Sequence, residues 1–142
     1  MIDLDALNAS MRSEVPHNRE IGLEVIRAEP ERGLCWMRLP FAEHLVGDID
    51  RGLLHGGPIT TLLDAASGMA MLLRLGRDSG IATVDLRIDF LKPGLAGLDV
   101  IASTECYKLT RTIGFVRGLA YQDDEEAPIA SVAATFIRRD AP

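Results

Sequence analysis

The stretch LLHGGPITTLLDAASGMAMLL, residues 53–73, contains the strongest structural pattern in this chain. A His-Gly-Gly-Pro turn leads directly into a long apolar run, in which Asp64 is the only charged residue. Pro58 suits the first turn of a helix, where its missing N–H would have no partner, and Gly76 is a natural helix stop. The pattern therefore predicts one long buried helix from about residue 57 to 75.

The same run is nearly long enough to cross a membrane. However, three glycines, a proline and several hydroxyl side chains dilute its hydrophobicity. A carboxylate at the centre of a membrane helix also costs roughly 2.5–3.5 kcal/mol on insertion scales. A helix buried inside the protein is favoured, and no membrane partner is expected.

The segments on either side of the helix predict an antiparallel sheet. Two strands are expected before the helix and three long strands after it, the second of them broken near Thr110–Thr112; they cover residues 21–29, 33–40, 81–92, 98–122 and 127–139. Short connections imply antiparallel pairing, and a helix that is apolar on most faces must be covered widely. We therefore expect an α+β fold in which a curved antiparallel sheet of about five strands wraps a central helix.

The chain begins with a short amphipathic pattern. Residues 4–12 predict a helix capped by Asp3 and ended by Pro16. We treat residues 1–16 as the lead-in to a single domain that spans residues 1–142, a length that can bury a real core.

Composition limits the classes of partner. The formal net charge is −6, which argues against non-specific binding to nucleic acid. The two cysteines, Cys35 and Cys106, have no metal or redox spacing, and the amino-terminal residues lack the pattern of a secretory signal. These features predict a cytoplasmic protein that binds no metal.

The start of the long helix has the chemistry of an oxyanion hole. Gly56 and Gly57 have no side chains, so their backbone can approach a ligand closely. Free N–H groups at a helix start carry partial positive charge and bind oxyanions or polarised carbonyl groups. The His55-Gly56-Gly57 segment could therefore polarise a carbonyl group.

Asp64 lies about two turns further along the helix. Its neighbours at three and four residues are small or polar: Thr60, Thr61, Ser67 and Gly68. This stripe leaves room beside the carboxylate, and an acid in an apolar setting can serve as a general base. The alternative is a structural role, in which Asp64 only accepts hydrogen bonds from the backbone or from a partner subunit.

Three motifs, HGGPITTLLD, TVDLRIDFLKPG and YKLTRTIGFVRG, together resemble one known family. With an acid nine residues after the histidine, they are similar to the hot-dog-fold acyl-CoA thioesterases of the phenylacetic-acid-degradation (PaaI-like) type. The resemblance extends from Ile21 to Arg138. It implies the hot-dog fold, with a helix wrapped by a five-stranded antiparallel sheet, and homodimers that often pair into tetramers as dimers of dimers.

The resemblance also implies a reaction and a site. An acyl-CoA would be hydrolysed to free acid and CoA without a cofactor, at a site between two subunits. The N–H of Gly56, with Gly57 as a second donor, would polarise the thioester carbonyl, and Asp64 of the neighbouring subunit would activate water or attack as a nucleophile. Thr83 matches a serine that helps to hold the water or the acid in some members, and His55 would orient the loop or contact the substrate.

Basic residues near the subunit surface bind the phosphates of CoA in this family. Lys92 and Arg111 match the usual positions best, and Arg138 and Arg139 are additional candidates. An ordinary surface charge remains the alternative for each of them. The acyl tunnel would be lined by apolar residues near the helix, with Met69, Met71 and Leu72 as candidates.

The chain departs from the family pattern at Ile49. Many members have an asparagine at that position, six residues before the histidine, and neither Asp48 nor Asp50 can be assigned its role. A non-catalytic acyl-CoA binding or sensing module with the same fold is therefore the alternative function. A hydratase acting on enoyl-CoA is a third possibility, but its Asp-His motif is not seen.

Overall fold

A computed structural model describes residues 1–76 and 79–139 of the chain. Its helices and strands are, in chain order, α1 (Leu4–Glu14), α2 (Pro16–Glu20), β1 (Glu24–Glu29), β2 (Leu34–Leu39), β3 (Val46–Asp48), β4 (Leu53–Leu54), α3 (Gly56–Leu75), β5 (Gly80–Phe90), β6 (Val100–Leu109), β7 (Ile113–Tyr121) and β8 (Ala130–Arg139). Two 3₁₀ turns, Pro30–Arg32 and Glu43–Leu45, lie beside β2 and β3.

Helix α3 is the central helix that the sequence predicts, and it begins one residue earlier than expected. Gly76 follows its last residue in the left-handed conformation, with φ 83°, and donates its N–H to Leu72 and Leu73. Glycine adopts this conformation without the steric cost that a side chain would add. Half of the helix is buried against the concave face of the sheet, including Leu62, Leu63 and Ala66.

Over the described residues, the main sheet has six strands rather than about five, in the order β1-β2-β6-β7-β8-β5, and every neighbouring pair is antiparallel. The additional strand arises at Thr110–Thr112, where the sequence predicts only a break. Thr110 exchanges hydrogen bonds with Ile113 there: its N–H donates to the Ile113 carbonyl, and its Oγ1 accepts from the Ile113 N–H at 3.0 Å. The break is therefore a hairpin turn that folds β7 back onto β6.

The amino-terminal helix confirms its predicted cap. The Oδ1 atom of Asp3 accepts the Ala6 N–H at 3.0 Å, while Leu7 and Met11 enter the core. Helix α1 continues two residues beyond the predicted end. Pro16 then begins the short helix α2, because proline suits a first helical turn as well as it ends a preceding helix.

Residues 46–54 form the small hairpin of β3 and β4, and this hairpin positions the start of α3. The His55 N–H donates to the Leu45 carbonyl at 2.8 Å. A Cβ atom at Gly47 would lie 2.8 Å from His55 Cα, so only glycine allows this close approach. On the other side, the Leu54 N–H donates to the Gly94 carbonyl at 2.9 Å.

Over residues 1–76 and 79–139, no helix combines the length and the apolar character that crossing a membrane requires. The same residues contain no group of three or more His, Cys, Asp or Glu side chains arranged to hold a metal ion.

Candidate active site

The imidazole of His55 caps the start of α3. Its Nδ1 accepts the Gly57 N–H at 2.8 Å, so Nδ1 carries no proton and the neutral ring bears its hydrogen on Nε2. A Cβ atom at Gly57 would lie 2.9 Å from Nδ1, which explains why glycine is needed there. The Gly57 N–H is thus engaged inside the chain by the His55 side chain.

Gly56 has a backbone N–H that is free to bind a ligand at the start of α3. It is the first residue of α3, and among the described residues no acceptor is bonded to its N–H. A Cβ atom on Gly56 would lie 3.3 Å from Phe90 Cζ, so the backbone packs directly against the end of β5. A cavity of about 310 Å³ opens beside it, and Lys92 contributes to its lining.

Asp64 and Thr83 are brought together, as the resemblance implies. The Thr83 hydroxyl on β5 donates to Asp64 Oδ1 at 2.9 Å. Both residues line a cavity of about 550 Å³, together with Thr60, Thr61 and Gly68 of the predicted small-residue stripe. The bond leaves Oδ2 of the half-buried carboxylate free of any hydrogen bond within the described residues.

Ser67, also predicted on that stripe, does not share this cavity. Its side chain is fully buried, and its hydroxyl has no hydrogen-bond partner among the described residues. The space beside Asp64 is therefore built from the two threonines and from Gly68.

His17 lies at the site although no sequence pattern predicts it there. Its Nε2 lies 3.1 Å from Thr61 Oγ1, and its ring lines the same cavity as Asp64. The chain pattern contains no signal for this contact, because 44 residues separate the two side chains. Only the packing of α1 and α2 over α3 reveals it.

The donor and the acid lie too far apart to act on one substrate within a single chain. Gly56 and Asp64 are eight residues apart on a continuous helix, which corresponds to about 12 Å along its axis. They also line different cavities. If Gly56 binds the carbonyl oxygen of a thioester, the carbonyl carbon is out of reach of a water molecule held by Asp64 of the same chain.

The predicted basic residues form two groups. Lys92 follows β5 at its Phe90 end, whereas Arg138 is paired with Ile81 near the other end, about 30 Å along the strand. The Arg138 N–H donates to the Thr112 carbonyl, so Arg138 lies beside the turn that carries Arg111. One chain thus places Lys92 with Gly56, and Arg111 and Arg138 at the end of β5 nearer Asp64.

Ile49, where the chain departs from the family pattern, is 87% exposed at the tip of the β3–β4 hairpin. Asp48 Oδ1 accepts the Arg51 N–H there at 3.0 Å, in a solvated turn.

Of the three predicted acyl-tunnel residues, Met69 and Leu72 line the Asp64 cavity. Met71 does not, because it is fully buried and packs against Gly114 of β7.

Comparison with known proteins places these features in a family. The model of the thioesterase superfamily matches residues 51–129, which include His55, Gly56, Asp64, Thr83 and Lys92. A curated relative, the medium/long-chain acyl-CoA thioesterase YigI of Escherichia coli (strain K12), is 30% identical over 138 residues, covering 87% of this chain and 85% of that protein.

Solved structures show the same fold. A protein from Pseudomonas aeruginosa superposes with a TM-score of 0.83 at 36% identity, over 96% of this chain and 98% of that chain. The E. coli PaaI protein from the phenylacetic acid degradation operon superposes with a TM-score of 0.80 at 18% identity, over 94% and 92% of the two chains. The predicted hot-dog architecture is thus confirmed.

Proposed function

Because this chain belongs to the thioesterase superfamily and is therefore a thioester hydrolase, we propose that its substrates are acyl-CoA thioesters. The observation that carries the proposal is the Asp64–Thr83 pair, which places a carboxylate with one free oxygen in a largely apolar cavity. The relative YigI is named for medium and long acyl chains, which fits a cavity of this character.

In the proposed reaction, Asp64 is the general base. Its free oxygen accepts a proton from water while the water oxygen forms a bond to the thioester carbon. The Gly56 N–H, at the positive end of α3, stabilises the negative charge that develops on the carbonyl oxygen. When the tetrahedral intermediate collapses, the C–S bond breaks and the proton passes from Asp64 to the CoA thiolate, leaving free acid and CoA.

The proposed enzyme is a homodimer with two composite sites. Since Gly56 and Asp64 of one chain are about 12 Å apart, each site takes Gly56 from one copy and Asp64 from the other. The dimer predicted from the family resemblance meets this requirement, and two such dimers can associate further into a tetramer.

Strand β5 offers the surface for this pairing. Among the described strands, β5 lies at one edge of the sheet, so one row of its backbone N–H and C=O groups has no neighbouring strand there. Apolar side chains are exposed along it and just after it, with Val84 60%, Phe90 53% and Leu91 56% exposed. An exposed apolar edge strand of this kind is stabilised by pairing with a second copy.

The charges on β5 favour one register of that pairing. Asp85, Arg87 and Asp89 are exposed on one face, alternating with half-buried Leu86 and Ile88. If two copies pair antiparallel with Leu86 at the twofold axis, each Asp85 lies opposite Arg87 of the partner subunit. Shifting the pairs by two positions would instead place like charges opposite each other, which is unfavourable.

The same antiparallel arrangement gathers the basic residues. It brings the Phe90 end of β5, with Gly56 and Lys92, to the end of the partner's strand that lies near Asp64, Arg111 and Arg138. We therefore assign Lys92, Arg111 and Arg138 to the CoA phosphates, which arginine and lysine bind through charge-assisted hydrogen bonds. In one chain alone these side chains would not converge.

Substitution of the acid tests the proposal. We expect Asp64→Asn to lower kcat by about 10²–10⁴-fold, the range that general-base catalysis supplies, while the asparagine oxygen still accepts the Thr83 hydroxyl. Thiol release over a panel of acyl-CoAs measures the effect. Glu31→Gln, which changes an exposed acid that lines neither cavity, is the matched control. Equal turnover by wild type and Asp64→Asn would refute the role of Asp64.

We also propose that the enzyme works in the cytoplasm. Both cysteines are buried free thiols, a state that a reducing compartment maintains.

A further inference from the structure

The cavity that contains Asp64 is enclosed by an element outside the matched family segment. Residues 51–129 carry the family signature, yet α1, at residues 4–14, forms one wall of the cavity opposite α3. The apolar lining is shared among the amino-terminal helix, α3 and β5: Leu7 and Met11, then Gly68, Met69 and Leu72, then Ile81.

The lining changes character along α3 on the two sides of Asp64. The residues one turn before it are Thr60 and Thr61, which are polar, whereas every later lining residue of α3 is apolar, from Ala65 to Leu72. Leu72 lies about 12 Å beyond Asp64 along the helix axis. The cavity thus has a polar half and an apolar half, with the carboxylate at the boundary.

Helix α1 runs along the cavity so that its two ends face the polar half and the apolar half. His17, which follows α1, lies 3.1 Å from Thr61, so the carboxyl end of α1 faces the polar half. Met11 and Leu7 lie one and two turns back from Glu14 along α1 and therefore face the apolar half.

The wall that α1 forms is firmly held. The side chain of Asn8 is buried and makes two hydrogen bonds to Val25 of β1: Nδ2 donates to the carbonyl at 2.9 Å, and Oδ1 accepts the N–H at 2.7 Å. A buried amide whose donor and acceptor are both satisfied specifies one position for the helix. Met11 is therefore presented to the cavity at a defined place.

We infer that α1 and Gly68 set the length of the acyl chain that the enzyme accepts. This inference rests on the proposed function, because it takes the reacting carbon to lie at Asp64. The acyl chain then extends from Asp64 between Gly68 and Met11 toward Leu72. Apolar side chains line that path, and they bind methylene groups through burial of apolar surface.

Gly68 lies on α3, at the side of the cavity where the proposed acyl chain passes. It lies one turn beyond Asp64, and a Cβ atom there would be 3.3 Å from Ile81 Cδ1 and 3.5 Å from Phe136 Cε1. An added methyl group therefore occupies space between α3 and β5 that the chain would use. Alanine favours helix over glycine by roughly 1 kcal/mol, while the Ile81 side chain must shift by a few tenths of an ångström to admit the methyl group.

The test compares kcat/KM for butyryl-, octanoyl-, dodecanoyl- and palmitoyl-CoA. We expect Gly68→Ala to lower the ratio of dodecanoyl-CoA to butyryl-CoA by about tenfold, the discrimination associated with one methyl or methylene group in a pocket. Met11→Ala removes side-chain bulk from the wall, and we expect it to raise the ratio of palmitoyl-CoA to octanoyl-CoA several-fold.

Matched controls lie on the same two helices. Leu4→Ala on α1 and Leu75→Ala on α3 truncate half-buried side chains that do not line the cavity, and both chain-length ratios should stay at their wild-type values. Thermal unfolding verifies that each variant is folded. Unchanged ratios in both Gly68→Ala and Met11→Ala, or equal shifts in the controls, would overturn the inference.

The outcome is separable from that of the proposed function. If wild type hydrolyses none of the thioesters, the proposed function fails. Dissociation constants for the same four acyl-CoAs, measured by calorimetry, then replace kcat/KM in the comparison of chain lengths. Chain-length preference in binding that shifts in Gly68→Ala and Met11→Ala would still support the pocket, and binding that is indifferent to chain length would overturn it.

Discussion

The hydroxyl of Thr83 donates to Oδ1 of Asp64 across 2.9 Å, and this bond joins strand β5 to the middle of helix α3. It fixes the orientation of the carboxylate and leaves its second oxygen available for water. Because the two residues are 19 positions apart in the chain, the bond is a product of tertiary packing.

We expect Thr83→Val to lower kcat by about 10- to 100-fold, since a hydrogen bond to a charged group contributes about 1.5–3 kcal/mol. Thr83→Ser keeps the hydroxyl and should retain most of the activity. Steady-state hydrolysis of one acyl-CoA by the three proteins measures the effect. Equal rates for Thr83→Val and Thr83→Ser would show that the bond does not orient the base.

The cap that His55 provides has a measurable contribution to stability. We expect His55→Ala to lower the free energy of unfolding by about 0.5–2 kcal/mol, as for other helix caps. Gly57→Ala should have a similar effect, because its Cβ atom would lie 2.9 Å from Nδ1 and displace the ring. Urea denaturation measures both, and His55→Asn, which keeps a side chain that caps helices well, is the control.

The Gly56 N–H can be removed with little change to the backbone. His55 has φ −67° and ψ 142°, a conformation compatible with a following proline, and proline is favoured at the first helical position. We expect Gly56→Pro to lower kcat by about 10²–10³-fold, as for loss of one oxyanion donor. Gly56→Ala adds the same Cβ atom, keeps the N–H, and is the matched control for contact with Phe90.

The composite site allows complementation between two inactive variants. In a heterodimer of Gly56→Pro with Asp64→Asn, one of the two sites has an intact Gly56 and an intact Asp64. We expect coexpression of differently tagged chains, followed by isolation of the heterodimer, to restore about half of the wild-type activity. A heterodimer as inactive as its parents would contradict a site shared between copies.

Charge reversal tests the register of β5. We expect Arg87→Asp to raise the dimer dissociation constant roughly fivefold or more, because two opposite-charge pairs become like-charge pairs at about 0.2–1 kcal/mol for each interaction. Asp85→Arg combined with Arg87→Asp should restore association. Sedimentation at several concentrations gives the constants, and a double variant no tighter than the single one would exclude this register.

Stability should fall at alkaline pH because of the buried thiols. Burial raises the pKa of Cys35 to about 12, while the thiol in the unfolded chain keeps its ordinary value. Above that ordinary value the unfolded state binds fewer protons than the folded one, so the free energy of unfolding decreases as pH rises toward 12. Urea denaturation at pH about 8 and about 10.5 measures the loss, which should be smaller in Cys35→Ala.

Much of the fold follows from local pattern. The long helix, its stop at Gly76 and the capped amino-terminal helix depend on interactions within a few residues of each other. The number of strands was underestimated because a hairpin turn and a break in one strand look alike until the partner is known. The turn at Thr110–Thr112 is defined by bonds to Ile113, and its consequence is the pairing of β6 with β7.

The site divides in the same way. The glycine pair at the start of α3 and the acid two turns later are predictable from the sequence alone, because helical spacing places both without reference to the rest of the chain. Three further contacts exist only in the folded chain: His55 accepts the Gly57 N–H, Thr83 donates to Asp64, and α1 lines the cavity. These contacts join side chains whose approach depends on packing and on rotamers, and sequence spacing carries no information about either.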